Sequence, residues 1–282
     1  MRSKLCLALA VAISCGSSGD ERARPIPSTP VETTGAIARQ LLAARGFTWS
    51  SFETAHTRIH LANGMNAARI DVIADSVENA RRITLALVGE RDLPDEEPLE
   101  LFLVETRDDI RHLIGAAVTG TGYPSELTAV LLAGDGYRAF YRHEMTHTYL
   151  AHRWGRRRAG SWLDEGLATR ATGSCQGHAI DAIAAGYVQS GKAPSLAVLT
   201  SAAFDTLPES PAYFTAASLI DFFQHHEGAK AVRALWRGEA SEVTDDDPLG
   251  PATATMWSGW QRHLQKVAPA TLAPNWLRQD GC

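Results

Sequence analysis

His143-Glu144-Met145-Thr146-His147 carries the residue types of a metal-assisted hydrolase at the spacing such chemistry needs. Histidines four apart share one helix face, one turn above the other, so both imidazoles reach a single ion. The glutamate directly after the first histidine projects to one side of that face. There it can take a proton from metal-bound water. Two further requirements follow: a helix under the motif, and a third ligand, because a catalytic zinc takes three protein ligands and keeps one position open.

The third ligand is sought in Ser161-Trp162-Leu163-Asp164-Glu165-Gly166-Leu167-Ala168, where seventeen residues separate His147 from Glu165. A reversal through Trp154–Gly160 would return a second helix alongside the first, with Glu165 facing the two histidines. On these residues the sequence resembles the gluzincin peptidases, in which a glutamate on the following helix completes the site. The W-L-D-E-G-L-A run is similar to the W-L-N-E-G-F-A signature of aminopeptidase-N-like enzymes. It is closer still to the small bacterial secreted proteins and lipoproteins called peptidase-MA-like. The resemblance implies His143, His147 and Glu165 as ligands of one Zn2+, with Glu144 as general base. The spacing is one residue shorter than the aminopeptidase pattern; the difference falls in the Arg153–Ser161 turn, where loop length is tolerant. His147 is not followed by the x-x-G-x-x-H continuation of metzincins.

Attack on a peptide carbonyl builds negative charge on oxygen, so a hydrogen-bond donor belongs near the metal. Pro211–Ile220 resembles the helix start where aminopeptidase-like enzymes place a catalytic tyrosine, which implies Tyr213 as that donor. Read from the residues alone, Tyr213 also fits a core position among Phe214, Ala217, Leu219, Phe222 and Phe223. Asp164 has two readings as well: a carboxylate orienting a zinc histidine, or, more commonly, an exposed aspartate near a helix N-terminus. The chain has no G-x-M-E-N run, the motif that holds a free amino terminus in the resembled aminopeptidases, so an endopeptidase is the default. Strand Leu127–Ala133 is either an edge on which an extended substrate pairs or an interior strand.

These side chains must be positioned by elements. Leu127–Ala133 reads as a buried strand broken by Gly134-Asp135-Gly136, with Asp135 capping a helix that runs from Tyr137 to His152 and stops at Gly155. Upstream, helix and strand alternate: Thr34–Arg45 helix, Thr57–Leu61 strand, Val77–Val88 helix, Leu99–Val104 strand, Arg107–Ile114 helix. Downstream the pattern is helical: Leu163–Ala171, His178–Ser190, Tyr213–His225, Ala229–Trp236 and Thr253–Val267. The expected class is α+β, a zincin-like two-lobed domain over residues 32–282. An N-terminal mixed sheet with helices would face a mainly helical C-terminal part across the zinc cleft. His178, His225 and His226 have no partner at ligand spacing and read as surface or capping residues.

Arg2 and Lys4 precede an apolar run, Leu5–Ile13, too short to span a bilayer and suited to a signal peptide over residues 1–14. Ala12-Ile13-Ser14-Cys15 is similar to a bacterial lipobox, with alanine in place of the usual leucine. Lipidation of Cys15 would make the protein an envelope lipoprotein, with residues 15–31 as a flexible tether. The residue after the cysteine is not aspartate, which favours the outer membrane; plain periplasmic or secreted export is the alternative. The mature chain carries 25 basic and 32 acidic residues, a formal −7, which argues against nucleic acid. Arg153, Arg156, Arg157 and Arg158 read as a solvated basic loop. Cys175 and Cys282 either pair in an oxidising compartment or stay free thiols. The expected activity is hydrolysis of a peptide or protein substrate; the competing expectation is a catalytically silent zinc-binding lipoprotein that acts as a binding module.

Overall fold

The computed structural model describes residues 26–28, 35–91, 96–116, 118–133, 141–239 and 253–272. The signal peptide, Cys15, the Asp135 cap with Tyr137–Phe140, and Cys282 lie outside the described residues. Strand β1 (Ile26–Ser28), within the segment read as tether, leads to helix α1 (Ala36–Leu42), β2 (Trp49–Glu53) and β3 (Thr57–Ala62). Then come α2 (Ile70–Val88), β4 (Leu99–Val104), α3 (Arg107–Ile114), β5 (Gly120–Tyr123) and β6 (Thr128–Leu132). The chain is α+β with one mixed six-stranded sheet ordered β1-β2-β3-β4-β6-β5. Strands β3, β4 and β6 run parallel, and the pairs at both margins are antiparallel.

The central strands are nearly continuous apolar runs because helices cover both faces. Every residue of β4 and of β6 is buried. Ile59, Leu61, Leu101, Leu103, Ala129 and Leu131 meet α2 through Ala74, Val77 and Ala80. The alternate residues, including Phe102, Val104 and Val130, meet Ala38 and Leu41 of α1 and Ile110 of α3. One polar chain crosses the sheet. Ser51 Oγ lies 2.8 Å from His60 Nδ1, His60 Nε2 lies 2.6 Å from Glu100, and Glu100 also pairs with Arg58 at 2.5 Å. It fixes the register of β2, β3 and β4 through bonds that a one-residue slip would break.

After the sheet the chain is largely helical: α4 (Tyr141–Trp154), α5 (Ser161–Thr172), a small hairpin β7 (Ser174–Cys175) and β8 (His178–Ala179), then α6 (Ile180–Gln189) and α7 (Leu196–Leu199). Helices α8 (Glu209–Glu227), α9 (Ala229–Arg237) and α10 (Thr253–Leu264) complete it. Their shared core holds Trp154, Trp162, Leu167, Ala216, Ile220, Trp236 and Trp260. Gly166 is essential to this packing: a Cβ there would meet Ala216 Cβ at 3.0 Å and the Ala216 backbone at 3.1 Å, besides Ile220. The small residue lets α5 and α8 touch backbone to backbone.

Some open alternatives are decided, and other expectations need correction. Leu127–Ala133 is an interior strand, between β4 and β5; the sheet margin is β5, which the sequence reading lacked, as it lacked β2. Helix α2 starts at Ile70 rather than Val77, after a 3-10 turn whose Asn66 side chain accepts the Ala68 N–H. His178 stands on β8, so the helix there begins only at Ile180. Helix α8 begins at Glu209, which tolerates Pro211 because first-turn N–H groups have no helical acceptor. Cys175 is disulfide-bonded, with its partner outside the described residues.

Candidate metal centre

Helix α4 serves both cores. Met145 and Tyr149 pack on the sheet side, Leu150 and Trp154 on the helical side. That double anchorage sets the rotation of the helix and hence the direction of His143 and His147. Gly155, in the left-handed region at φ 78°, ends α4. The reversal is then held from α9: Arg158 N–H donates to the Trp236 carbonyl at 2.8 Å, and Trp236 Nε1 donates to the Gly155 carbonyl at 2.9 Å. Helix α5 returns beside α4 and brings Glu165 to the histidines.

His143 Nε2 and His147 Nε2 are 3.2 Å apart, and Glu165 Oε2 lies 3.3 Å from the first and 3.6 Å from the second. Zn–N and Zn–O bonds of about 2.0–2.1 Å in a tetrahedron separate ligand atoms by roughly 3.3 Å. The triangle therefore has the dimensions of three ligands about one tetrahedral metal ion. Among the described residues this is the one His/Cys/Asp/Glu group of three or more able to hold an ion. The charges of these groups compensate one another. Burial opposes ionisation of Glu165, yet the hydrogen bonds and positive charge of His143 and His147 hold it well below its usual range. Burial likewise opposes a charged His147, but Asp164 and Glu165 raise it well above the usual histidine value.

Asp164 is a partner of the site. Its Oδ1 accepts from His147 Nδ1 at 2.6 Å, and its Oδ2 accepts from Arg157 Nη1 at 2.7 Å. The commoner reading of an exposed helix-end aspartate is thereby replaced. The bond at Nδ1 holds the ring so that Nε2 faces Glu165 and His143. The basic loop is not simply solvated either. Arg157 is engaged with Asp164, and the buried Arg153 makes a two-pronged pair with Glu96 at 2.5 and 2.6 Å.

Glu144 is buried and lies against β5. A Cβ on Gly120 would sit 2.6 Å from the Glu144 carboxyl carbon, and one on Gly122 would collide with the Thr148 hydroxyl. One step further, His152 Nδ1 donates to the Pro124 carbonyl at 3.1 Å. Four residues of helix advance about 6 Å and two of strand about 6.6 Å. Glu144, Thr148 and His152 thus match Gly120, Gly122 and Pro124 step for step. The two glycines bring a sheet-margin strand directly beside the candidate base. Its outer side has no strand partner among the described residues.

Tyr213 comes from the second turn of α8, not its start. Its ring lies parallel to His143 at 6.3 Å and to the buried Phe204 at 5.7 Å. Burial and then the negative charge of Glu165 push its phenol above the ordinary range. The structure therefore gathers His143, Glu144, His147, Glu165 and Tyr213 in one place. It gives Asp164 the orienting place that was one of its two sequence readings, and adds Arg157, read from the sequence only as part of a basic loop, and Gly120, which carried no signal. His225 and His226 lie away from the centre; His226 Nδ1 donates to the Phe222 carbonyl at 2.8 Å within α8. No protein-family model matches this chain, and no curated protein is significantly similar to it.

Proposed function

We propose that this chain is a zinc-dependent endopeptidase of the gluzincin type, allied to the peptidase-MA-like proteins. One observation carries the reading: a His143–His147–Glu165 triangle of tetrahedral-zinc dimensions stands beside a buried Glu144. In this reading the sheet with α1–α4 and the helices α5–α10 are the two lobes of a zincin-like domain. Zinc is the ion best suited to a two-histidine, one-carboxylate set with an open vertex. Such an ion supplies Lewis acidity, polarising a carbonyl and making water acidic enough to attack near neutral pH.

The chain's own residues supply the rest. Glu144 accepts a proton as the water oxygen bonds to the scissile carbon, then delivers it to the departing amine as the C–N bond breaks. Tyr213, whose phenol stays protonated at ordinary pH, donates to the oxygen that gains negative charge. Strand β5, whose outer side has no strand partner among the described residues, offers that margin to an extended peptide, one of the two roles open to the neighbouring strand. Export through the signal peptide, with a lipid anchor at Cys15, would place the enzyme in a bacterial envelope. Among the described residues no helix is long and apolar enough to cross a membrane.

A fluorogenic peptide library read by mass spectrometry tests this activity. Cleavage at internal bonds, abolished by a chelator and restored by Zn2+, is the expected result. Stoichiometric zinc with no cleavage of any peptide would overturn it and favour a binding module.

A further inference from the structure

We infer that Arg157 is a positioning residue for the metal centre: it holds Asp164 in the one orientation that directs His147 at the ion. This rests on the metal reading above and concerns a residue of the connecting turn that is not in the ligand triangle. The geometry is a relay, Arg157 Nη1 to Asp164 Oδ2 at 2.7 Å and Asp164 Oδ1 to His147 Nδ1 at 2.6 Å. Each oxygen of the carboxylate is thereby committed to one partner.

Asp164 needs such a clamp because it has a nearby alternative. It stands in the first turn of α5, whose N-cap is Gly160, a residue with no side chain to accept the open N–H groups of that turn. A carboxylate at this place is drawn to the helix's own N-terminus, away from His147. The Asp164 side chain is partly exposed, so packing alone does not fix its rotamer. Arg157 reaches Asp164 through a single N–H, and the planar guanidinium gives that N–H a fixed direction, which a rotating ammonium does less well. Arg157 is in turn carried by a turn tied to α9 through the Arg158 N–H and the Gly155 carbonyl. The relay therefore links the helix-end scaffold to a ligand nitrogen.

Opposing physical effects make the inference testable by sign. If Arg157 acted only as a nearby positive charge, deleting it would tighten binding of a dication, since repulsion is removed and Asp164 becomes a stronger acceptor. If it positions Asp164, deletion weakens binding, by on the order of tenfold to a hundredfold as for other partners of metal-bound histidines. The experiment strips the whole mature protein of metal and titrates Zn2+ against a chromophoric chelator for wild type, Arg157→Ala, Arg157→Lys and Arg156→Ala. The expected result is at least a tenfold loss for Arg157→Ala and partial recovery for Arg157→Lys. Arg156→Ala, which removes an exposed neighbouring charge, should match wild type. Equal or tighter zinc binding by Arg157→Ala would overturn the inference while leaving the metal centre intact. A wild-type chain that takes up no zinc would overturn both.

Discussion

At the residue scale the site is a set of atoms whose spacing was half written in the sequence. The i, i+4 histidines needed only a helix to meet, and the W-L-D-E-G-L-A run needed only a reversal; both are present. Asp164 was harder to read, because an aspartate in a first helical turn has a sufficient local reason to be there. Only the return of α5 alongside α4 gives it His147. Tyr213 packs against Phe204 and lies parallel to the His143 ring, a position open to either of its readings. Removing the hydroxyl alone separates them. Tyr213→Phe should keep zinc affinity and fold while lowering kcat by about 10²–10³, the usual loss of one oxyanion donor. A kcat within twofold of wild type would reduce Tyr213 to a packing residue.

At the element scale, glycines decide what can approach what, and this is where the sequence was least legible. Strand β5 reads Gly-Thr-Gly-Tyr, a pattern with little strand propensity, so nothing in it announces a sheet margin. Its glycines are required by the neighbouring helix, a tertiary reason invisible to periodicity. The strongly apolar β4 and β6 were readable because burial on both faces leaves one composition only. Gly166 makes the corresponding point between helices. Gly166→Ala should force α5 and α8 apart, destabilising the protein by about 1–3 kcal/mol as overpacking does. Because Glu165 precedes it and Tyr213 lies one turn before Ala216, the same change should also weaken zinc binding. Urea unfolding with a zinc titration checks both, and an unchanged midpoint would refute the close-contact argument.

At the scale of the whole molecule, one buried ion network ties distant parts together. Glu96, just before β4, pairs with Arg153 of α4 and with Arg81 of α2. Burial works against its charge, but the two guanidinium groups prevail and hold its carboxyl below the ordinary value of 4.5. A depressed folded value contributes stability above the unfolded value, and that contribution disappears as pH falls through the folded one. The stability difference between wild type and Glu96→Gln should therefore be full at neutral pH and shrink below about pH 4.5. Urea midpoints of the metal-stripped proteins across that range measure it. A difference independent of pH would show that the carboxylate's charge contributes nothing.

The fold and the His143–His147–Glu165 triangle are properties of the structure, whereas zinc and turnover are the proposal, and Glu144 separates the two parts of it. Glu144→Gln preserves the shape of a side chain wedged against Gly120 but removes the proton acceptor. The direct measurement is zinc content and peptide hydrolysis of this variant beside wild type, on a peptide the wild-type enzyme cleaves. The account predicts one zinc per chain in both and a loss of hydrolysis of about 10²–10⁴-fold, the range for a general base. Hydrolysis by Glu144→Gln at the wild-type rate would contradict it.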